Sequence, residues 1–428
     1  MFMLESRLSA DQNRALEQVQ AAAGAAGVNL FLSGGGMRDM LGGFQIRDLD
    51  FSVEGQALKV AKTLEEQGAR IVRMDENRRT AELVFPNGVT AQVAMSRTER
   101  YAKTGAKPQV SPATIQEDLR GRDFTINAMA LSLNRASRGL LLDPTNGLAD
   151  LGHRELRSTH PYVFYDDPGR LLRLVRLRVR LAFTVAERTA TQYENARAAH
   201  LENMIPPRVL LDELKSMGAE PSPAELVQAL DKEGLLSLFS PALGGARLPL
   251  QALMKLEKAA RTVASAITVG PQVDAFLHAL TGKLTPKEKS DLFKAVEMPR
   301  AEIEQMRDLE PRARKLEQAL KSARVKKPSH VYQILSGAHP DEMVFLLGNS
   351  AQRVVQERIR NYLQKYLPAM QEVPPSAWEA VEGEPGTAKY NRNRQAFLAS
   401  RLDVRTHKPT LPELEPPPAT EAARGRGR

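Results

Sequence analysis

The sequence predicts a mixed α+β domain over its first 150 residues and a helical remainder, on three observations. Short β-type runs fall at 28–32, 49–53, 69–74, 80–85, 89–95 and 139–142, separated by turns such as the Pro-Asn-Gly at 86–88. Beyond Asp150 these runs almost vanish, and helix-forming segments punctuated by Pro and Gly replace them. A chain of 428 residues with 42% hydrophobic content is long enough to bury a sizeable core and to divide into two or three folding units.

The first element expected is a helix at 8–23, where Leu8, Leu16 and Val19 have helical spacing. Helices at 56–67 and 113–119 interrupt the strands. Later helices are expected at 166–182, 187–200, 207–217, 222–238, 249–266, 272–282, 285–296, 301–323, 328–336 and 340–366, with a short basic one near 389–402. No fixed-period repeat suggests a solenoid. From 403 to 428 the chain is basic and Pro-rich, ending in Arg-Gly-Arg-Gly-Arg, and is expected to be disordered.

Net charge is +9, from 60 Lys+Arg against 51 Asp+Glu, with pI near 9.6. Nucleic acid is the favoured partner if the arginines cluster, and an acidic membrane surface the lesser one. The absence of cysteine excludes disulfides, thiolate zinc sites and a cysteine nucleophile. No stretch approaches 18 uninterrupted apolar residues, and charges sit where a signal peptide needs its apolar core. A soluble cytoplasmic protein without membrane association is the expectation.

Asp48 and Asp50 stand at i and i+2 of an expected strand, so they project to one face about 6–7 Å apart along the backbone. They can converge on magnesium, which favours carboxylate oxygen and is completed by water and substrate phosphates. Upstream, Gly34, Gly35 and Gly36 let backbone amides approach phosphate oxygens, with a helix expected to start near Met37. A Gly-rich hairpin turn is the alternative. Arg38 offers a fork of donors to the same phosphates, and Asp39 is read as holding Arg38 or capping the helix.

In Arg-Gly-Arg-Asp-Phe-Thr-Ile-Asn-Ala-Met-Ala-Leu, residues 120–131, a helical reading puts Asp123 and Asn127 on one face, able to position each other or a ribose hydroxyl. Arg122 points elsewhere, toward phosphate, while a simple acidic helix start at Asp123 stays open. At 165–181, Arg170, Arg173, Arg176 and Arg180 fall within an arc of about 120° on an otherwise apolar helix. Such a stripe needs anionic partners, whether substrate phosphates or carboxylates of the protein. Asp167 with Arg170 presents an acceptor beside a donor fork, the pattern a nucleobase edge demands.

Together these motifs resemble the class II tRNA nucleotidyltransferase (CCA-adding enzyme) and bacterial poly(A) polymerase family. The matching stretches are Gly-Gly-Gly-Met-Arg-Asp at 34–39 with Asp-Leu-Asp at 48–50, Gly-Arg-Asp-Phe-Thr-Ile-Asn-Ala at 121–128, and Asp-Pro-Thr-Asn-Gly-Leu-Ala-Asp-Leu at 143–151. Asp-Asp-Pro-Gly-Arg-Leu-Leu-Arg at 166–173 and Pro-Arg-Val-Leu-Leu-Asp-Glu-Leu-Lys at 207–215 complete the set. The resemblance implies a polymerase-β-like nucleotidyltransferase head at 1–150, a nucleotide- and RNA-binding helical neck at 151–217, and an all-α body and tail at 218–402 that binds tRNA. It implies Mg2+ at Asp48 and Asp50, and nucleotide contacts from Gly34, Gly35, Arg38, Arg122, Asp123, Asn127, Asp167, Arg170, Arg173 and Arg176. The expected reaction is template-independent addition of C, A or both from CTP and ATP to the 3′ acceptor end of tRNA. A poly(A) polymerase on the same scaffold and a non-catalytic RNA-binding relative are the alternatives.

Segment 97–119 resembles the family's flexible loop, which implies addition of more than C alone. This chain departs from the pattern at Gln92, where many relatives have an acidic residue, and at Gly121, Asp166 and Gly169.

Overall fold

The computed structural model describes residues 6–403 except 268, 383, 385 and 386. The tail expected to be disordered falls, from 404 onward, outside the described residues. In chain order the first part comprises α1 (Ala10–Ala26), β1 (Asn29–Ser33), α2 (Gly34–Gly42), β2 (Asp48–Glu54), α3 (Ala57–Glu66), β3 (Arg70–Asp75), β4 (Thr80–Val84) and β5 (Thr90–Met95). There follow β6 (Arg97–Arg100), β7 (Gln109–Pro112), α4 (Ile115–Arg120), β8 (Ala130–Ser132), β9 (Leu141–Leu142) and α5 (Gly147–His153).

Seven strands form one sheet in the order β3-β4-β5-β2-β1-β8-β9. Only β2 and β5 run parallel, because α3 and the β3–β4 hairpin lie between them in the chain and carry it back to the same end of the sheet. The period of two along β2 decides which face does what. Leu49, Phe51 and Val53 are at most 1% exposed and join Leu16, Val19, Val60 and Leu64 in the core under α1 and α3. Asp48, Asp50 and Ser52 therefore face the other way. α1 starts at a reciprocal Ser9–Gln12 capping box and ends at Gly27, whose φ of 66° is left-handed.

Several local expectations change. α2 begins at Gly34 rather than near Met37, so the three glycines are its first turn and not a loop before it. Residues 120–131 are not a continuous helix: Thr125–Asn127 make one tight turn and Ala130–Ser132 pair with the edge of β1. The run from Ala128 to Leu133 is apolar enough to bury as either element, and periodicity cannot separate the two over so short a stretch. Within the 97–119 segment, β6 and β7 pair as a hairpin on either side of the irregular residues 101–108, and the expected helix follows as α4.

Past α5 come β10 (Glu155–Leu156), α6 (Val163–Asp166), α7 (Gly169–Leu181), β11 (Thr184–Val185), α8 (Glu187–Ala198) and α9 (Pro207–Gly218). The minimal parallel pair β10–β11 was not expected from the sequence. The chain divides into two compact units. One runs to Ala260 and takes in Gly270–Leu309; the other comprises Arg261–Val269 and the chain from Glu310.

The second unit packs helices Pro328–Leu335, Pro340–Asn349, Arg353–Asn361 and Ala388–Leu402 around Leu335, Phe345, Ile359 and Leu398. The single helix expected at 340–366 breaks at Ser350, whose backbone turns extended and whose hydroxyl bonds Glu317 and the Gln352 N–H. Asp403 accepts from both the backbone and the hydroxyl of Ser329. Among the described residues no helix is long and apolar enough to cross a membrane.

Candidate active site

A cavity of about 510 Å³ opens between the polar face of the sheet and α7. It is lined by Gly34–Gly36, Arg38, Asp48, Asp50, Arg122, Asp123, Asn127, Asp167, Arg170, Arg173 and Arg176, so every site residue expected from the sequence lies in one place. Those residues span more than 140 positions of the chain. Only the fold brings them together.

Asp50 sits against the glycine turn and accepts from the Gly36 N–H at 3.2 Å. Burial first, and then the charge of Asp48, push its carboxyl up to about 6 against the opposing pull of Gly36, Arg122 and Arg38. Asp48 is more exposed and accepts from the Thr90 hydroxyl on the neighbouring strand. The fit between β2 and α2 is tight at each glycine. A Cβ at Gly34 would lie 3.1 Å from the Arg122 guanidinium and 3.2 Å from Asp50 Oδ2, and one at Gly36 would lie 3.2 Å from the Asp48 carbonyl. Gly34 also has a φ of +66°. Ser33 precedes the helix without capping it, because its hydroxyl is engaged by Ser52 at 2.8 Å and Arg122 at 3.2 Å.

Two carboxylates on one strand face make a donor set that suits a hard divalent cation completed by water and substrate phosphate. Among the described residues no group of three His, Cys, Asp or Glu is placed to form a protein cage. Gln92 is the cross-strand partner of Asp50 in the parallel register, so a neutral amide stands beside the pair.

Arg38 is buried and donates to Asp39 at 2.8 Å and to Asn127 Oδ1 at 2.7 Å. Asp39 also receives Arg180, and so anchors two arginines. Asn127 in turn donates to Asp123 at 3.0 Å. Asp123 and Asn127 therefore do position each other, through a tight turn and not along a helix face. Arg122 is held by Asp118 at 2.7 Å, by Ser52 at 2.9 Å and by the Asn127 carbonyl at 3.2 Å. Burial disfavours the Arg122 charge, but Asp118, Asp50 and Asp123 together outweigh it and the guanidinium stays firmly charged.

The arginine stripe of α7 finds its partners inside the protein. Arg173 donates to Asp123 at 3.1 Å and Glu213 at 3.2 Å, and Arg176 to Glu213 at 2.9 Å and Glu220 at 3.0 Å. Burial would raise the Asp123 carboxyl, yet Arg173, Arg170 and the Asn127 amide bring it down to about 2. Arg180 goes the other way. Burial first and then Arg38 depress it to about 10, because its own carboxylates are shared.

Asp167 stands 3.9 Å from Arg170 and accepts from the Gly169 N–H at 3.0 Å, while Arg170 donates to the Gly121 carbonyl at 3.3 Å. Glycine at 169 is required by contact: a Cβ there would lie 2.4 Å from Val209 Cγ1, where α7 meets α9. The hairpin closes this end. Tyr101 donates to Glu99 at 2.6 Å, and burial followed by the charges of Glu99 and Asp167 pushes its hydroxyl pKa up.

The third sequence motif is structural. Asp143 caps α5 through the Gly147 and Leu148 N–H groups, Asp150 accepts from Thr125 at 2.7 Å, and a Cβ at Gly147 would lie 2.1 Å from the Thr125 carbonyl. Residues not singled out from sequence also line the cavity: Arg47, Arg78, Arg97, Glu99 and Asp118. Asp118 is four residues before Arg122, a spacing visible in the sequence. The others carried no local signal.

Residues 30–157 match the model of the poly A polymerase head domain. The chain is 30% identical over 338 residues to an A-adding tRNA nucleotidyltransferase of Aquifex aeolicus, covering 78% of this chain and 40% of that protein. It is 36% identical over 210 residues to a CC-adding tRNA nucleotidyltransferase of Deinococcus radiodurans, covering 49% and 55%. The chain thus spans about half or less of the length of these curated relatives. A solved tRNA nucleotidyltransferase complexed with a primer tRNA and an incoming ATP analogue matches with TM-score 0.50 and 28% identity, over 82% of this chain and 99% of that one. Residues 30–157 are thus similar to the poly A polymerase head domain, and over three quarters of the chain is similar in sequence to a tRNA nucleotidyltransferase.

Proposed function

We propose that this protein adds C, A or both to the 3′ end of tRNA from CTP and ATP without a template. The observation that carries this reading is the single cavity in which a carboxylate pair, a glycine-opened helix start and an Asp–Arg pair converge. In the reaction the 3′ hydroxyl of the RNA attacks the α-phosphate, the bond to the β-phosphate breaks, and pyrophosphate leaves. Asp48 and Asp50 are the residues that would hold Mg2+, which when bound supplies Lewis acidity at the phosphate and at the attacking hydroxyl. The first turn of α2, with Arg38 and Arg122, takes the triphosphate. Asp167 and Arg170 choose the base by presenting an acceptor and a donor fork to its edge. Asp123, Asn127, Arg173 and Arg176 hold these groups in place.

Residues 1–150 act in this reading as the catalytic head, 151–217 as the neck that reads the nucleotide, and 218–402 as the part that holds tRNA. A poly(A) polymerase on the same scaffold is the second reading, supported by the family of the head domain. Incubation with tRNAs ending before the CCA, after its first C and after its second C, each with CTP or ATP alone, separates them. A defined end on tRNA supports the first reading, and long A tails on many RNAs the second. Asp48→Ala with Asp50→Ala is expected to lower incorporation of either nucleotide by at least about 10³-fold. Unchanged incorporation contradicts the metal assignment. RNA binding without pyrophosphate release in the parent protein indicates a non-catalytic relative.

A further inference from the structure

Of the arginines lining the cavity, Arg38, Arg47, Arg97, Arg122, Arg170, Arg173, Arg176 and Arg180 each donate to at least one acceptor of the protein. Arg78 is different. Among the described residues its guanidinium makes no hydrogen bond and no ion pair, although its charge is felt by Glu99 and Asp75.

The backbone of Arg78 is nevertheless closely held. Its N–H donates to Asp75 Oδ1 at 3.0 Å, and its carbonyl accepts from Arg97 at 3.2 Å and from the Thr80 hydroxyl at 3.3 Å. Arg97 is itself fixed by Glu99 at 2.8 Å. A half-buried arginine on a pinned turn that lines a polar cavity, with its guanidinium left without an acceptor, has its donors available for a ligand. The acceptor that a planar fork of N–H donors fits best in such a site is a phosphate. The next residue provides a natural contrast: Arg79 has a left-handed φ of 49°, and its Nη1 points to the Met95 sulfur at 3.6 Å.

We propose that Arg78 is a substrate-binding residue that grips a phosphate group, either of the incoming nucleoside triphosphate or of the RNA next to its 3′ end. The assignment rests on the nucleotidyl-transfer reading. It adds to that reading a cation supplied by the β3–β4 turn, on a different element from α2 and α7.

The test uses the full chain and Arg78→Ala, Arg78→Gln, Arg78→Lys and Arg79→Ala. Initial rates of nucleotide incorporation into tRNA are measured with the triphosphate varied at saturating RNA, and then with the RNA varied at saturating triphosphate. Arg78→Ala and Arg78→Gln are expected to raise one KM roughly tenfold or more, as loss of a charge-assisted hydrogen bond requires. Arg78→Lys recovers part of the loss, and Arg79→Ala changes neither KM. A rise confined to the triphosphate assigns the phosphate to the nucleotide. A rise confined to the RNA, with the salt dependence of binding reduced by about one ion, assigns it to the RNA backbone. Both KM values unchanged within twofold in variants with normal melting temperature overturn the proposal, whatever happens to kcat. An inactive parent would instead count against nucleotidyl transfer. Calorimetric titration with inorganic triphosphate and with a short RNA then decides Arg78 alone: roughly tenfold weaker binding of either by Arg78→Gln supports it, and equal binding of both overturns it.

Discussion

Asp50 carries a conflict between packing and chemistry. Its strand buries Leu49, Phe51 and Val53 in the core, while its carboxyl is packed beside the like charge of Asp48. With its carboxyl raised to about 6 from an unfolded value near 4, it binds a proton more tightly folded than unfolded. In metal-free protein its contribution to stability is therefore full below about pH 4 and is lost as pH rises through about 6. Asp50→Asn is expected to gain on the parent by about 2 °C or more in melting temperature between pH 4 and pH 7.5 without metal. Mg2+ should raise the melting temperature of the parent at pH 7.5 and leave the variant unchanged. Parallel melting curves for the two proteins across this range contradict the coupling. Gly169 teaches another lesson at the same scale. In sequence it is a weak helix former between Asp167 and Arg170, whereas in the fold it is what lets α7 approach Val209.

Among elements, the β6–β7 hairpin departs most from the sequence reading. Its tip comes so close to the Leu201–Met204 turn that a Cβ on Gly105 would lie 2.3 Å from the Met204 carbonyl, and Gly105 has a φ of +70°. Both facts oppose any side chain there. Gly105→Ala is expected to loosen the tip without unfolding the domain, and limited proteolysis should then cut within 101–108 at least about tenfold faster at unchanged melting temperature. This corresponds to roughly 1.4 kcal/mol of local opening. Equal cleavage rates contradict the contact. In sequence the segment showed only its resemblance to the family's flexible loop and no strand, because Arg97, Glu99 and Tyr101 satisfy one another rather than pack on a core. β8 was missed for another reason: it has only three residues, Ala130–Ser132, with two small side chains on one face and Leu131 on the other, too short a run for a period of two to be read.

Across the whole unit, carboxylates and arginines from distant segments form one connected network. Glu213 receives Arg173 and Arg176, Glu220 receives Arg176 and Arg47, and Asp39 receives Arg38 and Arg180, so α2, α7 and α9 meet through shared charges. Glu213 is 3% exposed, and although burial favours its protonated form, Arg176 and Arg173 hold it below the usual carboxylate range. Removing it leaves two guanidinium groups short of an acceptor in a low-dielectric site. Glu213→Ala is expected to cost about 3–5 kcal/mol in urea unfolding, with a smaller loss for Glu213→Gln, which keeps one acceptor. A loss below about 1 kcal/mol for Glu213→Ala shows that the network is not needed for stability.

The sequence by itself determined the α+β head and helical remainder, the alternation that turns Asp48 and Asp50 away from the core, and the set of arginines near the site. These are local properties, set by periodicity and side-chain size over a few residues. It left open whether the α7 arginines meet phosphates or carboxylates, and whether Asp123 and Asn127 share a helix. It gave no sign of Arg78. Those questions turn on which acceptors lie across the cavity, and Glu213 and Glu220 become neighbours of Arg173 and Arg176 only when α7 and α9 pack together. Tertiary structure decided them because an ion pair is satisfied in space, by whichever partner the packing brings within about 3 Å, and not by position along the chain.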